Sequence, residues 1–205
     1  MLHDVRPREI RAGEADAAHR RWREALVALA EREARGDLSG KRVLREAVTG
    51  RVWGIPDLLA RAGRELASLR GAADLPLVLV VGEIYLRNVP SSNGNVVEAL
   101  ARRGIRAKVA AVSEFLQFSD FIGAKGKKLT LGDRVNGWVR RRIEVACHAA
   151  ASEPMGWHVP PHVREVVRSA GPWVRDALEG ETVLSYITLR PGEPPFDRAA
   201  RAAVE

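Results

Sequence analysis

Apolar positions along the chain keep two rhythms, and the change between them divides it. From Glu14 to about Arg35, Ala18, Trp22, Ala25, Leu26, Leu29 and Ala30 recur at helical spacing, which predicts an amphipathic helix. Asp37 and Ser39 offer a cap for a shorter helical segment through Val48, and Pro56 with Asp57 opens another to about Arg70. Met1 to Gly13 is polar and punctuated by Pro7 and Gly13, so an extended lead-in is expected there. Residues 1–72 therefore read as a helical arm, with Trp22 and Trp53 as packing anchors.

At Leu77 the period shortens. Leu77 to Val81 is a continuous apolar run rich in valine, opened by Pro76 and closed by Gly82, the pattern of a short strand buried on both faces. Asn93 to Arg103 then follows a helical period with Gly104 as its stop, and Ile105 to Val112 predicts a second, parallel strand ending at Ser113 and Glu114. Glu114 to Phe121 is expected to turn back toward the sheet edge. Lys125 to Lys128 sits in a glycine-flanked loop, and Leu131 to Ala151 carries the longest helical pattern, with Val135, Trp138, Val139, Ile143, Ala146 and Ala150 on one face. Pro154, Pro160 and Pro161 interrupt the chain, His162 to Ser169 resumes a short helix, TVLSYITL starts a strand or a helix, and PGEPPFD ends the pattern. Strand, crossover helix and parallel strand make residues 73–190 an α/β parallel-sheet domain, followed by a C-terminal tail at 191–205.

Composition narrows the classes. Lysine and arginine outnumber aspartate and glutamate 33 to 26, a formal charge of +7, but no run of five basic residues gathers that charge into the clustered patch a nucleic-acid binder shows. Nucleic acid is thus not the expected partner. The single cysteine, Cys147, excludes an intrachain disulfide and a self-contained thiolate metal site, and a reduced cytoplasm fits best. No apolar run approaches a membrane span, and the charged first twenty residues do not resemble a signal peptide.

Candidate chemistry concentrates after the first strand. In GEIYLRNVPSSN, Gly82 lets a ligand approach the backbone, while Ser91, Ser92 and Asn93 can cap the next helix, whose free amides favour an anion. Glu83, Tyr85, Arg87 and Asn93 are the ligand-binding candidates, with Glu114 at the end of the second strand as their neighbour. Beside this stands the plainer reading, in which Glu83 and Arg87 form a structural ion pair and Asn93 is only an N-cap. The turn lacks the three-glycine dinucleotide fingerprint and the lysine of a phosphate loop. His158 and His162 are four apart but are separated by Pro160 and Pro161, so no metal site is expected; Cys147 and His148 are adjacent and point to different helix faces. No serine-nucleophile elbow is present, and no catalytic residue is assigned.

The segment VVGEIYLRNVPSSNGNVVEALARRGIRAKVAAVSEFLQF resembles one found in proteins related to the 2-hydroxyacyl-CoA dehydratase subunits and their activase-fused relatives. There a strand ends in a Gly-Glu-x-Tyr-x-Arg turn, an asparagine follows, a helix runs to a glycine, and a second strand ends in a Ser-Glu pair. RPREIRAGEAD upstream and GETVLS near the end are similar to two further segments of that family, so the likeness is spread over most of the chain. The resemblance implies a Rossmann-like α/β domain from a reductive system in which an ATP-hydrolysing activase passes an electron to an iron-sulfur dehydratase acting on CoA thioesters. The family's cluster cysteines have no counterpart: PPFDRAARAAVE, where one is expected, contains none. The activase phosphate loops are also missing. The implied role is a subunit or binding module that is not redox-active alone, without a cofactor of its own, sharing an iron-sulfur cluster only through a dehydratase or activase partner. Three other roles remain open. They are a carboxylate enzyme joining Glu83 to Glu114 or Glu181, a nucleic-acid binder using Arg134, Arg140, Arg141 and Arg142, and an interaction module docking through Trp22 and Trp53.

Overall fold

The computed structural model describes residues 1–124 and 128–157, with the backbone alone at 114, 118 and 121–124. The lysine loop at 125–127, His158, His162, the helix expected over 162–169, the TVLSYITL segment with Glu181 and the tail at 191–205 lie outside the described residues. In chain order the elements are α1 (Leu2–Val5), α2 (Glu14–Ala34), α3 (Gly40–Thr49), α4 (Ile55–Ser68), β1 (Leu77–Val80), α5 (Ile84–Asn88), α6 (Val96–Arg102), β2 (Arg106–Val109), α7 (Val112–Ala124) and α8 (Leu131–Ser152). The architecture is mixed and rich in helix, with a small parallel sheet of β1 and β2. Its parallel register is visible in two amides, Arg106 N–H donating to the Pro76 carbonyl at 2.8 Å and Ala110 N–H to that of Val80 at 3.1 Å.

The described chain forms two compact units. The first gathers Met1–Leu77, Glu98–Ala107 and α8. Its core is Leu2, Val5, Ala15, Ala18, Leu66 and Met155, with Trp22, Ala67 and Leu69 packed against it. α4 packs on α2 and α8, and α3 on α8. The helices expected from periodicity are present: α2 begins where Gly13 takes a left-handed turn, and α4 carries proline in its first turn. Trp22 is the anchor its spacing suggested, its indole N–H donating to Glu65 Oε2 at 2.8 Å while Arg61 lies 5.3 Å over the ring. Trp53 is held differently. Its backbone is left-handed, φ +54°, and its N–H donates to the buried Glu46 carboxylate at 3.0 Å.

The expected extended lead-in is instead ordered structure. Leu2–Val5 is helical, a tight turn follows over Arg6–Arg8, and Glu9 pairs with Arg70 in an isolated antiparallel bridge. Burial of Leu2 and Val5 drives this, aided by Asp4, whose carboxylate is enclosed by arginines: Arg8 at 2.7 Å, Arg106 at 3.4 Å and Arg70 at 3.9 Å. The Glu9 carboxylate accepts from the amides of Gly13 and Ala15 and so caps the start of α2.

Two predictions arise here. At Gly63 an added Cβ would lie 3.2 Å from the Pro154 ring and 3.4 Å from the Ala151 carbonyl, so α4 and the end of α8 meet through the absent side chain. Gly63→Val is expected to overpack this contact and lower stability by about 1–3 kcal/mol, read from the urea midpoint, despite the helix-propensity gain over glycine. The second concerns His3, whose Nδ1 is buried without a partner. Burial first, then the positive charges of the amino terminus and Arg6, push its imidazole down to about 4. The unfolded chain, titrating near the ordinary imidazole value of 6.5, then binds more protons between those values, so this contribution is present above pH 6.5 and lost as pH falls toward 4. The unfolding free energy should drop over that window by up to about 3 kcal/mol, read from urea denaturation at each pH, and His3→Gln should flatten the drop.

The second unit contains Val78–Val97 and the chain from Lys108 through α7. Here β1 departs from expectation. Leu77 is 54% exposed and Val78 and Val81 are also exposed, so the run is not buried on both faces. The helix expected over Asn93–Arg103 is Val96–Arg102, with Asn93 in the preceding turn, and Gly104 (φ +68°) ends it as predicted. β2 is shorter than Ile105–Val112. Glu114 belongs to helix α7, not to a strand end or a turn back to the sheet edge.

Candidate functional site

The polar groups after β1 fold into a compact knot at the carboxyl end of the strand. Gly82 takes φ +127°, a conformation other residues avoid, and turns the chain out of the sheet. Glu83 is the N-cap of α5: its Oε2 accepts from the amides of Tyr85 at 2.7 Å and Leu86 at 3.0 Å. Asn88 Nδ2 donates to the Ile84 carbonyl at 2.8 Å, closing the same short helix. Asn93 joins two elements. Its Nδ2 donates to the carbonyls of Leu86 (2.9 Å) and Arg87 (3.2 Å), and its Oδ1 accepts from Val96 N–H at 3.3 Å, where α6 begins.

Arg87 stands apart from these. The residue is only 4% exposed. Its Nη1 donates to the Gly82 carbonyl at 3.3 Å and its Nη2 to that of Ala111 at 3.2 Å, so one guanidinium links the turn after β1 to the chain just past β2. The expected Glu83–Arg87 pair is not the arrangement adopted, because the Glu83 carboxylate is committed to amides and the guanidinium to carbonyls. Arg87 Nε is buried and has no hydrogen-bond partner among the described residues. A buried guanidinium costs several kcal/mol of desolvation, and long bonds to two carbonyls offset only part of that.

Ala111 precedes α7, a helix of 13 residues, by one position. The guanidinium therefore sits beside the amino-terminal end of α7, whose dipole adds partial positive charge, a combination that attracts an anion. Tyr85, 73% exposed, lies on the outer side of α5. Thus Glu83, Arg87 and Asn93 are brought into one knot, Tyr85 borders it in the open, and Glu114 lies in the first turn of α7. The acceptors Gly82 and Ala111 were not legible in sequence, since their carbonyls matter and their side chains do not.

Among the described residues, the carboxylates of the other polar cluster are already engaged. In the first unit an open cleft of about 430 Å³ is lined by Arg6, Glu9, Asp16, Glu98, Ala101 and Arg102. Arg6 binds Asp16 and lies 3.9 Å from Glu98, while Glu9 is occupied by the cap of α2. Burial first, then Glu144, pushes the Cys147 thiol up, so it is protonated at neutral pH. Among the described residues no three His, Cys, Asp or Glu side chains converge as a metal-binding group, and no helix is long and apolar enough to cross a membrane. No family model matches the chain, and comparison with curated proteins and with solved structures gives no match.

Proposed function

We propose that this chain is a diverged or partial 2-hydroxyacyl-CoA dehydratase-like or activase-associated domain, a cytoplasmic subunit or binding module that holds an anionic ligand at Arg87. The βαβ arrangement of β1, the α5–α6 crossover and β2 supports a Rossmann-like reading, because open α/β sheets bind ligands beyond the carboxyl ends of their strands. The observation that carries the reading is the buried Arg87 guanidinium with its unpartnered Nε beside the start of α7. A phosphate oxygen pair replacing the Ala111 carbonyl on Nη2 would take Nη2 and Nε together, the bidentate geometry arginine favours.

Residues of this chain do not fit an iron-sulfur cluster of its own: one cysteine is present, on α8, with its thiol held protonated. Any cluster would belong with a dehydratase or activase partner. Calorimetric titration with coenzyme A tests the reading. The full chain binds it, and Arg87→Gln weakens binding by at least about tenfold while circular dichroism stays unchanged. Equal affinity of the two proteins, or no heat with either, would sink it.

A further inference from the structure

Exposed apolar residues adjoin both anchors of the Arg87 guanidinium. Its two carbonyl partners, those of Gly82 and Ala111, each have a valine as chain neighbour, Val81 just before Gly82 and Val112 at the first position of α7, and both valines are exposed. From Val112 the exposure continues along one side of that helix. Phe115 and Leu116 follow three and four positions on, within an arc of about 100° with Val112, and both are exposed, Leu116 at 58%. Ser119, seven positions after Val112, is the next residue on that side, and it is polar and exposed.

Geometry sets the scale of what fits. Leu116 stands about 8 Å along the helix axis from Ala111, whose carbonyl meets the guanidinium. A ligand with its charge on Arg87 therefore covers Phe115 and Leu116 only if hydrocarbon begins within a few bonds of that charge. A sugar or a peptide laid there would set polar atoms against these side chains and gain nothing from their leaving water. The stripe runs little more than one turn before Ser119, too short a seam for a partner helix, which uses apolar positions sustained over several heptads.

From this we infer that the Arg87 site takes an amphiphilic anion, a phosphate ester of a hydrocarbon alcohol, with the phosphate on Arg87 and the chain across Val81, Val112, Phe115 and Leu116. The inference rests on the reading of Arg87 as an anion site and adds the apolar half of the ligand. Each half supports the other. A buried guanidinium with an unused donor wants a counter-charge, the exposed apolar side chains next to it want cover, and one small molecule supplies both. Coenzyme A meets the description in part, since the dimethyl carbon of its pantetheine arm lies one methylene away from the diphosphate ester.

Calorimetric titration of the full chain with octyl phosphate, below its micelle concentration, and with methyl phosphate isolates the apolar half, because the two carry the same head. Octyl phosphate binds at one site and at least about tenfold tighter, since each buried methylene contributes about fourfold. Phe115→Gln with Leu116→Gln removes most of that difference and leaves the methyl phosphate affinity unchanged, while Arg87→Gln weakens both ligands. Equal affinity for the two phosphates, or the full difference kept in the glutamine pair, overturns the inference and leaves Arg87 standing as an anion site. Octyl phosphate affinity undiminished in Arg87→Gln, or no binding of either phosphate, overturns the anion site as well. Co-sedimentation with phosphatidic acid vesicles that the glutamine pair abolishes, without saturable binding of octyl phosphate, overturns the inference in favour of a membrane surface.

Discussion

Asp4→Asn is expected to destabilise the first unit by about 3–5 kcal/mol, the largest stability effect of any single substitution considered. Asp4 is 5% exposed and faces Arg8 at 2.7 Å, Arg106 at 3.4 Å and Arg70 at 3.9 Å. Removing its charge leaves those guanidinium groups close together in a partly dry site, without the anion that gathers them. The effect is asymmetric. Arg8→Met leaves Asp4 with Arg106 and Arg70, and should cost well under half as much. Arg106 has further partners, the Leu75 carbonyl at 2.8 Å and Asp74 at 3.6 Å, so its own replacement also loosens the approach to β1. Urea denaturation of Asp4→Asn, Arg8→Met and the double variant checks the coupling: the double variant should be less unstable than the sum of the two.

Arg87→Lys is expected to bind coenzyme A no better than Arg87→Gln, even though it keeps the charge. The reason is geometric. Arg87 reaches the Gly82 carbonyl with one terminal nitrogen and the Ala111 carbonyl with the other, and presents the Nε–H of the same planar guanidinium alongside Nη2. An ammonium is a single point and cannot keep Gly82, face the start of α7 and offer a second parallel donor to a phosphate. A loss of at least about tenfold in both variants therefore follows from the lost fork, at 1.5–3 kcal/mol for about one charge-assisted hydrogen bond. If Arg87 served only as a cationic counterweight, lysine would restore much of the affinity, and calorimetry of the two variants separates these cases.

Helices were legible in the sequence wherever the apolar period and a terminus signal agreed. α2 and α4 begin near Gly13 and Pro56 and α8 at Leu131; Ala18 and Val139 are buried on the expected stripes, whereas Val135 and Trp138, expected on the same face as Val139, are exposed. The strand pattern misled about burial. Leu77 to Val81 has the composition of a covered strand, yet burial depends on what lies over it, and in a sheet of two described strands its first residues remain exposed. The polarity of Met1 to Gly13 concealed a helix because its arginines are partners of Asp4 and Asp16, with Arg106 reaching Asp4 from 102 positions away. No local period encodes such pairs. At the candidate site, the residue types and their place after β1 were readable, while the division of labour was not: Glu83 and Asn93 serve the backbone, and Arg87 alone is left with a donor to spare.

That spare donor is also the most direct handle on the central claim. In a proton–nitrogen spectrum of the full chain tuned to arginine side chains, the Nε–H signal that disappears in Arg87→Lys belongs to Arg87. This signal is expected to shift and saturate as coenzyme A is added, and to shift in the same direction with pyrophosphate. A signal that stays fixed to the highest ligand concentration would contradict it and leave Arg87 as a brace between the Gly82 and Ala111 carbonyls.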